Sequence, residues 1–138
     1  VSKYKEITTQ ITDPDHITTA LNNLGIAHEV ARPGQTLTLD GWSGRGRTAE
    51  IVVRKATLGE ASGKGYAYAD LGWALDPHTG AYRLVLDDYD ERNRGVMDIV
   101  EGVTQRSAFY RLAELAAQNG FALETAPEFD VQRVFVGR

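Results

Sequence analysis

The densest group of chemistry-bearing side chains is the stretch LDDYDERNRG, in which Asp87, Asp88, Asp90 and Glu91 place four carboxylates within five residues. Such a group could ligate a divalent ion or supply an acid–base pair, but its spacing argues against both. Along a strand successive side chains alternate, so Asp87 and Tyr89 point one way and Asp88 and Asp90 the other. A calcium loop needs oxygen ligands spread through a longer loop with an internal glycine and a closing glutamate, and that pattern is absent. Arg92 and Arg94 offset half of the charge. Asp90 and Glu91 stand just before a helical pattern, where free amides and the positive dipole end favour carboxylates. The stretch reads as a strand leaving the sheet before a helix; a catalytic acid among the four is the alternative.

Other candidates are weaker. GEASGKG, Gly59 to Gly65, has three residues between Gly59 and Gly63 where a phosphate loop has four, and Gly65 stands where that loop needs Ser or Thr. It reads as a glycine-rich surface loop. GWSGRGR sets Trp42 beside Arg45 and Arg47, with Arg54 and Lys55 further on, an arrangement able to hold a phosphate or carboxylate or simply a hairpin turn with solvated arginines. His16, His28 and His78 form no HxxxH or HxH pair, and no cysteine is present. Neither a metal site nor a cofactor is expected from these residues. No nucleophile elbow occurs either, so no catalytic residue is assigned.

Local patterns supply the elements that must position these groups. Lys3 to Thr12 alternates as a strand. In DPDH, Asp13 suits a helix N-cap and Pro14 the first helical position; Ile17, Ala20, Leu21 and Leu24 then recur at helical spacing up to Gly25. Segments 28–30, 36–40 and 48–55 read as strands. Tyr68–Leu75 and Ala81–Tyr89 form a hairpin about DPHTG, a long helix spans about Gly95 to Asn119, and Phe121–Thr125 with Val131–Val136 make a closing hairpin. Strands outnumber helices without regular βαβ alternation. The expected fold is α+β: a mainly antiparallel β-sheet with two helices packed on one face.

The bulk numbers bound the function. A chain of 138 residues fits one domain, residues 1–138, and 42% hydrophobic with 25% charged residues is ordinary for a globular protein. A net charge of −4 lacks the cationic face that phosphate binding needs, so a nucleic-acid partner is disfavoured. No run approaches a membrane span and no signal-peptide pattern opens the chain, which makes a soluble cytoplasmic protein the expectation.

The long helix is the most informative element. Ile99, Val103, Arg106, Tyr110, Ala113 and Ala117 share one face, which sets Arg106 in an apolar stripe. Its stem is expected to snorkel to the edge; if buried, Asp70 or Asp87 is the expected partner. Ala108, Leu112, Leu115 and Ala116 form a second apolar face, as on a helix that is sandwiched or docked on a partner.

Four stretches in this order, SKYKEITTQITDPDHITTALNNLG, GWSGRGRTAEIVVRK, ADLGWALDPHTGAYRLVLDDYD and VTQRSAFYRLAELAAQNGFAL, resemble the uncharacterised family typified by plastid hypothetical open reading frame 35 and its bacterial relatives, a domain of unknown function. The resemblance spans nearly the whole chain and rests on Gly41, Gly44, Asp70, Gly72, Tyr89, Asp90, Gln105 and Arg106. Trp73, Ser107-Ala108-Phe109 and the Gly59–Gly65 loop depart from it. It implies small cytoplasmic or plastid proteins, often encoded near an AAA+ ATPase of the MoxR or ClpX-like kind, with no settled activity. The expected function is a non-enzymatic accessory or adaptor domain that binds a protein partner, an AAA+ ATPase or its substrate, through Ala108, Leu112, Leu115 and Ala116, with a homo-oligomer through the same face as a variant. The alternative is a ligand-binding domain or small enzyme whose pocket, between sheet and long helix, is lined by Asp70, Tyr89, Arg106 and Tyr110, with Arg45 and Arg47 at its mouth.

Overall fold

Alternation of apolar side chains on both sides of the central strands dictates a sheet covered on two faces, and that is what forms. The computed structural model describes residues 3–41 and 44–121, with backbone alone at 44 and 45. In order, the elements are β1 (Tyr4–Thr8), α1 (Pro14–Asn23), β2 (Glu29–Val30), β3 (Leu37–Gly41), β4 (Gly44–Ala49), β5 (Ile51–Val53), α2 (Lys55–Ser62), β6 (Leu71–Leu75), β7 (Tyr82–Asp87), a 3-10 turn (Asp90–Arg92) and α3 (Arg94–Gln118). A five-stranded sheet runs β1-β7-β6-β5-β2, antiparallel at every junction, and β3 with β4 forms a separate hairpin. The expected α+β class is the observed one.

Ile51, Val53, Leu71, Trp73, Leu84 and Leu86 point from the large sheet into one core with Ile17 and Leu21 of α1, Leu58 of α2, and Val96, Ile99 and Val103 of α3. Val52 and Val85 point the other way, onto Leu39 and Ala49 of the small hairpin. Strands buried on both faces lose the polar positions of a half-exposed sheet, which explains the uninterrupted run Ile51-Val52-Val53. Close contact of the two sheets requires Gly72: a Cβ there would stand 2.8 Å from Ala49 Cβ.

Local capping chemistry works as the sequence predicts at the start of α1. Asp13 accepts from the Asp15 amide at 2.9 Å and Pro14 opens α1. Asn93 caps α3, and its end is a Schellman closure in which Phe121 N–H donates to Ala116 and Gly120 N–H to Ala117.

Two local expectations are corrected. Segment 48–55 is not one strand: the chain leaves the small hairpin at Ala49, turns at Glu50, and joins the large sheet at Ile51. Glu50 secures that turn, its amide donating to Trp73 O at 3.2 Å and its carboxylate accepting the Leu75 amide at 2.8 Å. The glycine-rich loop is largely helix, so three helices, not two, cover the sheet. Gly59 lies inside α2 because the backbone of Tyr66 passes within 2.4 Å of where a Cβ would stand. The expected hairpin after residue 121 lies outside the described residues.

Candidate functional site

The acidic stretch separates into four individual anchors. Asp87 accepts the Tyr89 amide at 2.8 Å and Asp88 the Lys3 amide at 3.0 Å, while Glu91 pairs with Lys5 at 3.0 Å. Asp90 is buried and accepts the Tyr68 and Ala69 amides just before β6. Burial raises its pKa, against the lowering effect of those two amides.

Asp70 has a comparable role in a larger network. It is buried and accepts three donors: the Asp40 amide at 2.8 Å, the Lys55 amide at 2.7 Å, and Arg54 Nη1 at 2.8 Å. The Lys55 amide opens α2, so this helix is capped by a residue fifteen positions downstream. Arg54 also donates to Thr38 O at 2.9 Å and forks onto Glu29 at 2.8 and 3.0 Å. Those bonds raise the Arg54 pKa, and the same guanidinium lowers that of Glu29. A guanidinium occupied in this way ties β2, β3, α2 and β6 together and leaves little to offer an anion.

Of the residues expected to line one pocket, the five whose side chains are described do not converge on it. Asp70 belongs to the Arg54 network. Tyr89 packs edge-on against Tyr68 at 5.2 Å, with the Arg92 guanidinium 5.4 Å from its ring centre. Arg47 pairs with Glu6, which also binds Arg83 at 3.0 Å. The Arg45 side chain lies outside the described residues. Tyr110 stands 6.0 Å from the ring of His16. Arg106 is buried rather than snorkelling, and donates to Asn23 Oδ1 of α1 at 2.5 Å and Gly102 O at 3.3 Å. Desolvation lowers its pKa. Neither Asp70 nor Asp87 supplies these bonds.

A cleft does exist between the sheet and α3, though other residues form it. It measures about 450 Å³ and is bounded by Ile7, Trp73 and Leu84 on the sheet side and Val100, Ser107 and Ala108 on α3. Most of the lining is apolar. Ser107, 3% exposed, has a hydroxyl with no hydrogen-bond partner among the described residues. His16 also lines this cleft. Its Nε2 lies 3.0 Å from Glu114 Oε1 and 3.6 Å from Asp13 Oδ2, and the three ligand atoms all fall within 4.8 Å of one another. Sequence reasoning missed this trio. Its only local trace is Asp13-x-x-His16, a spacing that stacks two potential ligands at one helix start; Glu114 arrives from 98 residues away.

Beyond the cleft, α3 carries the second apolar face outward. Ala108, Leu112 and Leu115 are exposed and Ala116 half-buried. No helix among the described residues is long and apolar enough to cross a membrane.

Fold and site together define an α+β domain, layered helices–sheet–hairpin, with an apolar cleft and most of its buried charges committed to structure. The family model described as a protein of unknown function (DUF1257) matches residues 20–134, and the chain belongs to that family. The match begins after Asp13 and His16. No curated protein and no solved structure matches the chain.

Proposed function

We propose that this protein is a small cytoplasmic accessory or adaptor that works by binding another protein through the C-terminal half of α3. One observation carries the reading: Leu112 and Leu115 are 56% and 43% exposed on one helical stripe with Ala108 and Ala116, and Phe121, just past the helix, is 71% exposed. Leucines one turn apart beside alanines suit a helix or groove presented by a partner, since the small residues allow close approach. Burying both leucines is worth roughly 3–6 kcal/mol before association costs, enough to anchor an interface but not to form one alone. The partner class implied by the family resemblance is an AAA+ ATPase or a substrate of one, and a second copy of the chain is the variant of the same reading. The engagement of Asp70, Arg54, Asp87 and Asp90 in the fold supports a non-enzymatic role.

The test is affinity capture of the tagged protein from its native lysate with and without ATP, alongside light scattering of the purified protein. Wild type should recover an ATPase or its substrate at near-equal stoichiometry, or run as a dimer. Leu112→Asp with Leu115→Asp should abolish that recovery while the circular dichroism spectrum is unchanged. Equal recovery by the double variant would place the surface elsewhere.

A second reading is favoured by the apolar cleft itself: a small, mostly apolar ligand held between the sheet and α3, against Ser107 and Ala108. A metabolite screen by thermal shift should then give a hit that Ser107→Leu, which fills the cleft, no longer shows. Persistence of every hit in that variant would remove this reading.

A further inference from the structure

We propose that Asp13, His16 and Glu114 form a binding site for a divalent transition-metal ion, Zn²⁺ being the best fit, which bridges the start of α1 to the C-terminal half of α3 beside the Ser107 cleft. The argument begins with charge. Two carboxylates converge on one imidazole nitrogen, and among the described residues His16 is the only ion-pair partner of either Asp13 or Glu114. A single ring nitrogen carries at most one hydrogen, and the 3.0 Å contact directs it to Glu114. Asp13 Oδ2, at 3.6 Å, is too far for a hydrogen bond but remains turned toward the same point. A dication satisfies all three groups at once.

Geometry agrees. Zinc bonds of about 2.0–2.1 Å to nitrogen and oxygen in a tetrahedron put neighbouring ligand atoms about 3.3 Å apart. The observed separations of 3.0 and 3.6 Å from Nε2 bracket that spacing. One imidazole and two carboxylates form a donor set suited to Zn²⁺ and its first-row neighbours rather than to soft Cu⁺. The carboxylate of Asp13 is oriented independently, because its other oxygen accepts the Asp15 amide at 2.9 Å. His16 is nearly buried, with 11% of its side chain exposed, and its ring is steadied by Tyr110.

The trio adjoins the cleft, since His16 belongs to both. The cleft lined by His16 also contains Ser107, one of the few buried side chains whose polar atom lacks a partner among the described residues. Three protein ligands leave a tetrahedral ion one further position, as in zinc sites that bind small molecules.

The test is calorimetric titration of the protein with ZnCl₂ in chelator-free buffer, paired with thermal melts and with Co²⁺ substitution read by visible absorption. Wild type should bind one ion per chain at micromolar affinity, melt higher with Zn²⁺, and give the intense bands of four-coordinate Co²⁺. Asp13→Asn retains the helix cap, since Asn caps as well as Asp, and Glu114→Gln alters an exposed side chain. Each should weaken binding at least ten-fold without lowering the metal-free melting temperature; His16→Ala should abolish it. The proposal is overturned if wild type takes up no Zn²⁺ at millimolar concentration. It is equally overturned if Asp13→Asn and Glu114→Gln bind as wild type does, which would mark an adventitious ion held elsewhere, for example at His28 or His78.

Discussion

Asp90 shows how a side chain that looks like chemistry becomes scaffold. Its carboxylate receives two amides that precede β6, in a setting dry enough to raise its pKa. The sign of the consequence follows from linkage. A carboxyl whose folded-state pKa lies above its unfolded value of about 3.9 holds its proton more tightly when folded, so its contribution to stability is complete below that value and is lost as pH rises through the raised one. Chemical denaturation of wild type and Asp90→Asn at several pH values from about 3.5 upward should therefore give a difference that changes with pH: wild type loses relative stability as pH climbs, and the variant lacks that component. At every pH the variant should also lose about 1–3 kcal/mol, because its NH₂ in place of Oδ1 would set a donor against the Tyr68 amide 2.9 Å away. Parallel profiles would mean that Asp90 does not titrate differently in the folded state. Arg106 illustrates the reverse difficulty. Its place in an apolar stripe was legible, but its bonds to Asn23 and Gly102 depend on how α1 meets α3, and no spacing within α3 reveals that.

Among the elements, α2 was the least legible. Its sequence, KATLGEAS, has little apolar periodicity and a central glycine, both signs of a loop. The missing information is non-local: Asp70 caps its first amide, and the glycines allow close packing at its sides. Gly95 at the start of α3 is the tightest case, since a Cβ there would lie 2.0 Å from Ser62 O. Gly95→Ala should force the end of α2 away from α3 and cost about 1–3 kcal/mol, despite the better helix propensity of alanine. Urea denaturation measures this directly; a stabilised variant would show that the two helices can separate without penalty. The C-terminal half of α3 differs in kind. Its apolar face was legible from period alone, and the fold leaves Ala108, Leu112 and Leu115 of it exposed, which is why the proposed partner surface lies there.

For the molecule as a whole, elements with local start and stop signals were readable from the chain, because their physics acts within a few residues. Asp13-Pro14 and Gly25 bracket α1, DPHTG turns β6 into β7, and Asn119-Gly120 closes α3. The α+β class followed from their order. What no local pattern could supply was the placement of sheet on sheet and helix on helix. Val52 and Val85 alternate correctly, yet nothing near them announces that β3 and β4 will cover them, or that Gly72 must make room. The polar assemblies share this property. Asp70 meets Arg54 across 16 residues, and His16 meets Glu114 across 98. Such groups are brought together by burial of the apolar layers beneath them, an effect that is strong but non-directional and so leaves no trace in spacing. Residue type and period therefore told where most strands, the helices α1 and α3 and an unpartnered face would be, while α2, the identity of the neighbours in each polar cluster, and with it the candidate metal site, came from chain folding alone.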